Sequence, residues 1–257
     1  MLKIKNLHKS FNAGTIDETT LFDGFNIDIK RGQFVSIIGS NGSGKSTLLN
    51  LICGTLTQDS GDILVEDKNI NSLQEFKRGK FIGRVLQDPK LGTCGDLTIL
   101  ENMSLADNKG KKFGLSFATS KSRIQHYKKL LSTCNMGLEN RLDAKVGLLS
   151  GGQRQALALI IANMVDIDFL ILDEHTAALD PKSSETIMQL TQKLVEQKGI
   201  TTLMVTHNLR HAQEYGNRLV MMHEGKIVID VEDEAKEQFE IEQMLKIFNE
   251  ISIECGN

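Results

Sequence analysis

The stretch Gly39-Ser40-Asn41-Gly42-Ser43-Gly44-Lys45-Ser46-Thr47 decides the fold predicted for this chain of 257 residues. It fits the pattern G-x-x-x-x-G-K-[ST]. Residues 33–38 before it are apolar and β-branched, and the residues after it have a helical pattern as far as Gly54. Strand, loop and helix in this order direct backbone N–H groups and a helix N-terminus to one place. The sequence therefore predicts a site for anions.

The residue types in this stretch, which we call the phosphate loop, suit phosphates. Gly39, Gly42 and Gly44 allow a close main-chain approach that a Cβ would obstruct. Lys45 adds a compact positive charge. Ser46 offers a hydroxyl to Mg²⁺, an ion that is usually held by few protein ligands. A glycine-rich turn with a chance match is the alternative, and the flanking strand and helix disfavour it.

A second motif, Leu149-Ser150-Gly151-Gly152-Gln153, lies ahead of residues 153–165, for which the sequence predicts a helix. A hydroxyl and two small backbone units before a helix again form an arrangement that can bind anions. Many unrelated enzymes carry a phosphate loop, and few carry both motifs.

With both motifs, the chain resembles the ATP-binding subunit of an ATP-binding-cassette (ABC) system over nearly its whole length. The resemblance implies an α/β fold: a P-loop NTPase core with a mostly parallel sheet, an antiparallel β part and an inserted helical subdomain. It implies one domain over residues 1–257. The core would comprise residues 1–88 and 150–231, the helical subdomain residues 89–149 and the C-terminal tail residues 232–257. ATP and Mg²⁺ are the cofactors implied.

Residue patterns along the chain agree with this architecture. Residues 2–7 and 25–29 alternate between apolar and polar, as half-exposed strands do, whereas residues 169–172 form a continuous apolar run, and residues 200–205 predict a further strand. A helix is predicted from Asp180-Pro181 to Gly199, with Asp180 as its N-cap.

The end of the chain carries two further patterns. Residues 218–222 and 227–230, joined by Glu224-Gly225, predict a hairpin. In the tail, Ile241, Met244, Leu245 and Phe248 have helical spacing. This spacing favours a helix packed on the domain, with a regulatory tail as the alternative.

Two carboxylates, Asp173 and Glu174, directly follow the apolar run 169–172. The carboxyl end of a buried parallel strand is the usual ligand-binding edge of such a sheet. We expect Asp173 to hold Mg²⁺ through water and Glu174 to act as general base toward an attacking water. In a chain without a phosphate loop, an acidic pair at the end of a strand would more often form a turn with a helix cap. Because this chain has a phosphate loop, we favour the catalytic pair.

Three more site residues are carried over from the resemblance. Gln87 lies where strand-like sequence changes to helical sequence, and it would contact the metal or water and relay the nucleotide state. His207 follows the run 200–205 and would contact the γ-phosphate, as the switch histidine of the family does. Phe11 would stack on adenine, although it could instead be a core residue. His175 occupies a position that is commonly proline, which indicates a branch resembling ATPases of bacterial amino-acid-type importers.

Composition limits the classes of partner. The hydrophobic share of 40% and the charged share of 25% are typical of a globular protein. A net charge of −3 gives no reason to expect nucleic acid as the main partner. We see neither a signal peptide nor a membrane-spanning run, and the four cysteines form no C-x-x-C pair. A cytoplasmic protein without a zinc site or disulfide framework is expected.

The resemblance also implies partners. In the family, residues equivalent to Ser150, Gly151, Gly152 and Gln153 close over ATP held by the phosphate loop of a second cassette, packed head to tail. A homodimer, or a pair with another cassette, is therefore expected, bound at the inner face of the membrane to an integral membrane permease. An extracytoplasmic solute-binding protein would act indirectly, in the import of a small solute such as an amino acid. The alternatives are an exporter, a non-transport ABC ATPase acting on nucleic acid or ribosomes, and a regulatory module without turnover.

Overall fold

A computed structural model describes residues 1–109 and 121–254; the remaining residues of the predicted helical subdomain and tail lie outside it, Cys255 among them. The strands are β1 (Leu2–Phe11), β2 (Thr19–Ile29), β3 (Phe34–Gly39), β4 (Ser60–Val65), β5 (Lys68–Asn69), β6 (Ile82–Val85), β7 (Phe169–Asp173), β8 (Thr201–Val205), β9 (Arg218–His223) and β10 (Lys226–Glu232). The α-helices are α1 (Lys45–Cys53), α2 (Glu75–Arg78), α3 (Ile99–Asp107), α4 (Ile124–Ser132), α5 (Gly151–Ala162), α6 (Pro181–Lys198), α7 (Leu209–Glu214), α8 (Glu234–Glu237) and α9 (Ile241–Glu254).

The chain divides into two compact units, Met1–Gly79 with Gly199–Asn257, and Lys80–Lys198. We call them unit 1 and unit 2. The first holds the phosphate loop, and the second holds the pair Asp173 and Glu174 and the second motif.

In unit 1, β3 is buried along its whole length and pairs in parallel with β8 on one side and β9 on the other. The strand order in this unit is β10-β9-β3-β8. Its six residues are apolar or small, as expected for a strand covered on both faces. Helix α1 follows the loop and ends at Gly54, whose φ of 82° supplies the left-handed C-cap. Strand, loop and helix thus follow the predicted order.

The antiparallel part of unit 1 has the order β2-β1-β4-β5. Strands β1 and β2 are longer than predicted, since they continue to pair as far as Phe11 and Thr19. Register shifts along β1 change which face each residue occupies, so the alternating pattern breaks before the strand ends. Strands β4 and β5 were not predicted at all.

The hairpin of β9 and β10 has the predicted turn. Glu224 and Gly225 both have positive φ, 43° and 73°. Positive φ at both central residues is the requirement of a type I′ turn, whose twist matches that of the strands it joins. This turn matters for the site because it contacts the phosphate loop.

Unit 2 contains the parallel pair β6 and β7. Helix α6 begins at Pro181 and is followed by Gly199 with a φ of 61°, as predicted. Between residues 89 and 149 the described part is helical, with α3, α4 and short 3₁₀ turns. Helix α5 begins at Gly151, two residues earlier than predicted, because Ser150 is its N-cap. The assignment of residues 89–149 as a separate subdomain remains a prediction.

The C-terminal tail packs on unit 1. Met244 of α9 is fully buried in a cluster with Ile38, Ala212, Leu219 and Met221. The helix packed on the domain, which the spacing in the sequence favoured, is therefore confirmed. Among the described residues, no helix has the length and apolar character that crossing a membrane requires.

Among the described residues, Cys53, Cys94 and Cys134 form no disulfide bond, and Cys53 and Cys134 are buried. Burial raises the pKa of Cys134 to about 11. A thiol that stays protonated is a poor nucleophile and a poor metal ligand. Cys134 thus behaves as a small core residue.

Lys236 is a buried cation in the tail segment. Its Nζ donates to the carbonyl oxygens of Gln213 at 2.6 Å, Tyr215 at 3.0 Å and Gly216 at 2.7 Å. Burial lowers the pKa of Lys236 to about 8 from the usual 10.5. The folded protein therefore releases this proton at lower pH than the unfolded chain does.

This difference predicts a pH dependence of stability. Between pH 8 and 10.5 the unfolded chain binds more protons at Lys236 than the folded protein, so stability due to this residue rises with pH. We expect the free energy of unfolding of wild type minus that of Lys236→Met to increase by roughly 1–3 kcal/mol across this interval. Urea unfolding at several pH values measures it. Lys246→Met, at an exposed position of α9, is the control, and equal pH profiles for both variants would contradict the assignment.

Candidate functional site

Close packing fixes the backbone of the phosphate loop. Gly44 lies at the N-cap of α1 with a φ of 100°. A Cβ there would stand 2.9 Å from Cζ of Phe22, and a Cβ on Gly39 would collide with the carbonyl oxygen of Met222. Glycine is thus required at both positions of the motif, by conformation and by space.

The hairpin turn supports the loop from one side. The backbone N–H of Gly225 donates to the carbonyl oxygen of Ser43 at 3.1 Å. Ser40 Oγ lies 3.2 Å from His223 Nδ1, so these two side chains share a hydrogen bond. The loop is therefore held in place by its own unit.

Lys45 is almost completely buried within the loop. Its Nζ donates to the carbonyl oxygens of Gly39 and Ser40, both at 2.8 Å, and lies 3.4 Å from Ser43 Oγ. These bonds hold the ammonium group at the centre of the loop. A preorganised positive charge beside backbone N–H groups is what phosphate oxygens need.

The residues around Lys45 differ in accessibility. Asn41, Gly42 and Ser46 are exposed, Thr47 is half-buried and Ser43 is buried. The Ser46 hydroxyl, in the first turn of α1, is therefore accessible to a metal ion. Among the described residues, no cluster of three or more His, Cys, Asp or Glu side chains could hold one. A Mg²⁺ bound mainly by phosphate oxygens and water needs no such cluster, so the Ser46 hydroxyl suits this ion.

Phe11 is the last residue of β1 and is half-buried. Its ring centroid lies 5.5 Å from Lys9 Nζ, a cation–π distance. The ring does not belong to the buried core, which was the alternative reading of this residue. A partly exposed ring is compatible with stacking on a base, and that role remains a prediction.

His207 follows β8 in the same unit. It is exposed, whereas Thr206 before it is buried and donates its backbone N–H to Ile37 of β3 at 3.1 Å. Asn208 after it caps α7 by accepting from the backbone N–H groups of Arg210 and His211. Hydrogen bonds therefore fix the residues on both sides of His207.

One cavity of about 270 Å³, which we call the loop cavity, brings His207 and the phosphate loop together. Gly39, Ser40 and Asn41 line it from the loop side, and Phe248 of α9 lines it from the tail. The pairing of β3 with β8 explains this arrangement, since parallel strands end at the same edge. Phe248 was expected only to pack, and its place beside the loop depends on the tertiary fold.

The carboxylates of unit 2 lie at the end of β7. Parallel pairing places Val85 of β6 opposite Leu172, so Gln87 and the pair Asp173 and Glu174 leave the same edge of the two strands. Gln87 is exposed and the carboxylates are half-buried. Glu174 has a φ of 48°, a left-handed conformation that is uncommon outside glycine and that concentrates at functional sites.

Asp173 has a partner that the sequence did not reveal. Arg84 Nη2 donates to Asp173 Oδ2 at 2.7 Å, and both side chains are mostly buried. Gln155 of α5 also reaches this region, because its Nε2 donates to the carbonyl oxygen of Leu86 at 3.2 Å. Helix α5, which follows the second motif, is therefore tied to the segment that carries Gln87.

The second motif forms a capping box at the start of α5. Ser150 Oγ accepts from the backbone N–H of Gln153 at 3.3 Å, and Gln153 Oε1 accepts from the backbone N–H of Ser150 at 3.2 Å. Ser150 and Gly151 are exposed, whereas Gly152 is buried beside Ser183. As an acceptor in the cap, the Ser150 hydroxyl keeps its proton to donate to an incoming anion.

Side-chain hydrogen bonds fix the segment between the carboxylates and α6. Asp180 Oδ1 accepts from the backbone N–H of Ser183 at 3.0 Å, and hydrogen bonds from Ser183 lower the pKa of Asp180. His175 is buried, with its Nε2 3.2 Å from Thr191 Oγ1. The position commonly held by proline is thus filled by a packed side chain.

Unit 2 also contains a cavity of about 730 Å³, which we call the large cavity. Residues of β6 and the segment after it, of α3 and of α5 line it; they include Arg84, Pro89, Leu91, Asn102, Leu105 and Ala158. Leu91 and Leu105 are among the exposed large apolar side chains of the chain. An open cavity with apolar side chains at its wall is typical of a docking surface.

The fold and the phosphate loop define a nucleotide-binding protein of the P-loop class, in which a strand, a glycine-rich loop and a helix present backbone N–H groups to phosphates. Residues 22–177 match the ABC transporter family, and the chain belongs to this family as an ATP-binding subunit with ATPase activity.

Relatives and a solved structure agree with this assignment. A tyrosine transport ATP-binding protein of Clostridioides difficile is 50% identical, over 96% of this chain and 98% of the relative. A xylose/arabinose import ATP-binding protein of Sulfolobus acidocaldarius is 32% identical, over 98% and 95%. A dimeric ATP-binding cassette in a post-hydrolysis state with ADP and phosphate has a TM-score of 0.76 at 31% identity and covers 90% of this chain and 98% of its own.

Proposed function

We propose that this chain is the energising subunit of an importer that takes an amino acid into the cell through a separate membrane permease. The observation that carries the proposal is the 50% identity, over nearly the whole of both chains, to a relative named for tyrosine transport. Tyrosine is therefore the first substrate to test. In this role the chain lies at the inner face of the membrane, and a solute-binding protein delivers the substrate outside.

Nucleotide binding begins at the phosphate loop. The buried ammonium of Lys45 and the backbone N–H groups of the loop bind the phosphates, and Phe11 stacks on the base. Ser46, Asp173 and Gln87 are the residues that would hold Mg²⁺, directly or through water, and the ion would neutralise charge on the phosphates. His207 shares the loop cavity and contacts the terminal phosphate.

Glu174 serves as the general base. A carboxylate that accepts a proton from water makes the water a better nucleophile toward phosphorus. The left-handed backbone of Glu174 supports this role, because the conformation redirects the side chain relative to Asp173 at the end of a rigid strand.

The second motif supplies the remote part of the site to another subunit. Ser150 and Gly151 are exposed at the N-terminus of α5, and the Ser150 hydroxyl proton is not needed for the helix cap. Two copies packed head to tail bring this surface over the ATP of the partner. The dimeric structure of the related cassette supports a dimer. ATP then holds the dimer closed, and ADP with phosphate releases it.

The permease docks on the helical part of unit 2. The large cavity supports this surface, since it opens between α3, α5 and the segment after β6, with Leu91 and Leu105 exposed. Its wall includes Leu86, directly before Gln87. A change at Gln87 on nucleotide binding therefore reaches the docking surface without an intermediate element.

The alternative functions share the same ATPase chemistry and differ in what the dimer moves. An exporter predicts transport in the opposite direction. A non-transport ATPase acting on nucleic acid predicts stimulation by RNA or DNA, which a net charge of −3 does not favour.

Direction and substrate can be tested together. We expect vesicles containing the permease, this chain and the solute-binding protein to accumulate labelled tyrosine when ATP is inside with the chain. Vesicles that contain Glu174→Gln are the control for leakage. Export of tyrosine, or no transport of any amino acid by an assembled complex, would overturn the import proposal.

Glu174→Gln should lower steady-state ATP turnover by about 100-fold or more, because it removes the base and keeps the shape. Phosphate release measures turnover, and size-exclusion chromatography with ATP should show an accumulated dimer. Glu196→Gln, the same change at an exposed position of α6, should leave turnover unchanged. Hydrolysis at the normal rate in Glu174→Gln would show that another residue is the base.

Ser150→Arg should suppress turnover at least tenfold by obstructing the closed dimer, while ATP binding to the monomer stays within about twofold of wild type. Loss of the helix cap alone costs about 1 kcal/mol, and the free energy of unfolding of Ser150→Ala measures this structural cost. Fluorescent ATP binding at low protein concentration measures the monomer. If Ser150→Arg abolishes that binding, Ser150 does not serve the site of a partner subunit.

A further inference from the structure

Arg84 forms an ion pair with Asp173, the carboxylate that would hold Mg²⁺. The Nη2 to Oδ2 distance of 2.7 Å is that of a strong charge-assisted hydrogen bond. The side chains retain only 21% and 15% of their accessible surface, so water screens this pair much less than an exposed one.

Strand register explains how the two side chains meet. Arg84 of β6 lies opposite Ile171 of β7. Asp173, two residues after Ile171, extends from the same face of its strand, because side chains repeat every second residue. The long side chain of Arg84 therefore reaches forward along the strand to the carboxylate at its end.

The ion pair joins one nitrogen of Arg84 to one oxygen of Asp173. In the described part of the chain, Arg84 Nε is buried without a hydrogen-bond partner, and Asp173 is the ionic partner of the guanidinium. The contact occupies Oδ2 of the carboxylate. Because a carboxylate has two oxygens with several lone pairs, Oδ1 keeps its capacity to accept from a metal-bound water or to bind the ion.

Removing Arg84 would leave a mostly buried carboxylate without its countercharge. The carboxylate would then be free to rotate about its side-chain bonds, since the contact that fixes Oδ2 is lost. Outer partners that orient a metal-binding carboxylate commonly contribute 10–100-fold to metal affinity, as a rough guide. The Arg84 contact has the geometry of such a partner.

We propose that Arg84 is a positioning residue for the metal site: it holds the Asp173 carboxylate in one orientation, so that Mg²⁺ with ATP meets a preformed ligand. The inference rests on the proposed role of Asp173 in metal binding. Arg84 itself touches neither nucleotide nor metal in this scheme. Its contribution should therefore appear in metal affinity and be absent from the affinity for ATP without metal.

Binding of Mn²⁺, as a probe for Mg²⁺, to the full chain saturated with ATP tests the proposal, with free Mn²⁺ followed by electron paramagnetic resonance. We expect Arg84→Met to weaken Mn²⁺ binding by about 10-fold or more. Binding of fluorescent ATP in EDTA should stay within about twofold of wild type. Arg141→Met, an exposed arginine of the same unit, should change neither quantity.

Arg84→Lys separates positioning from simple charge. Lysine keeps the positive charge and lacks the planar guanidinium, so it should restore Mn²⁺ affinity only in part. This variant also serves where Arg84→Met fails to fold, since a threefold or greater loss of Mn²⁺ affinity in a folded Arg84→Lys supports the same conclusion.

Unchanged or tighter Mn²⁺ binding in Arg84→Met would overturn the inference, and tighter binding would identify Arg84 as a competitor of the metal. That result would leave the proposed function intact if the wild type binds Mn²⁺ with ATP. Failure of the wild type to bind Mn²⁺ with ATP would overturn both proposals.

Discussion

The absence of space around the phosphate loop is the constraint on which the rest of unit 1 depends. The loop turns between a fully buried strand and a helix, and its glycines fit against Met222 and Phe22 with no room for a side chain. The hairpin turn of β9 and β10 then donates to Ser43. These contacts come from elements far apart in sequence, so the anion site is rigid only when the unit is complete. Within it, the buried Lys45 ammonium has its position before any phosphate arrives.

The parts of the structure that could be predicted are those with a local signal. A glycine at a required left-handed position ended α1 and α6 at the predicted residues, and Glu224-Gly225 identified the hairpin. Strand β4 was missed because it begins with Ser60-Gly61-Asp62, a polar start without clear alternation, and forms by pairing with β1. Pairing with a distant strand decided the structure there.

The candidate site also contains residues with a local sequence signal and residues whose positions depend on distant parts of the chain. The residues of both motifs and the carboxylates at the end of β7 were named from their types and order, and the structure brings His207 to the phosphate loop within unit 1. Arg84 and Phe248 were not named as site residues. An arginine in a strand and a phenylalanine in an amphipathic helix have no special local pattern. Their positions beside Asp173 and the loop follow from strand register and from tertiary packing.

The burial of Met244 against Ile38 has a consequence for the synthesis of the protein. Ile38 belongs to the strand that leads into the phosphate loop, whereas Met244 lies about 200 residues later, in α9. Contacts between residues so far apart in sequence form late, since the ribosome releases the later segment long after the earlier one. A nascent chain thus carries an uncovered apolar surface behind its phosphate loop until α9 has left the ribosome. Chaperones that bind apolar surfaces have their opportunity in this interval, and a shortened chain without α9 would keep that surface exposed permanently.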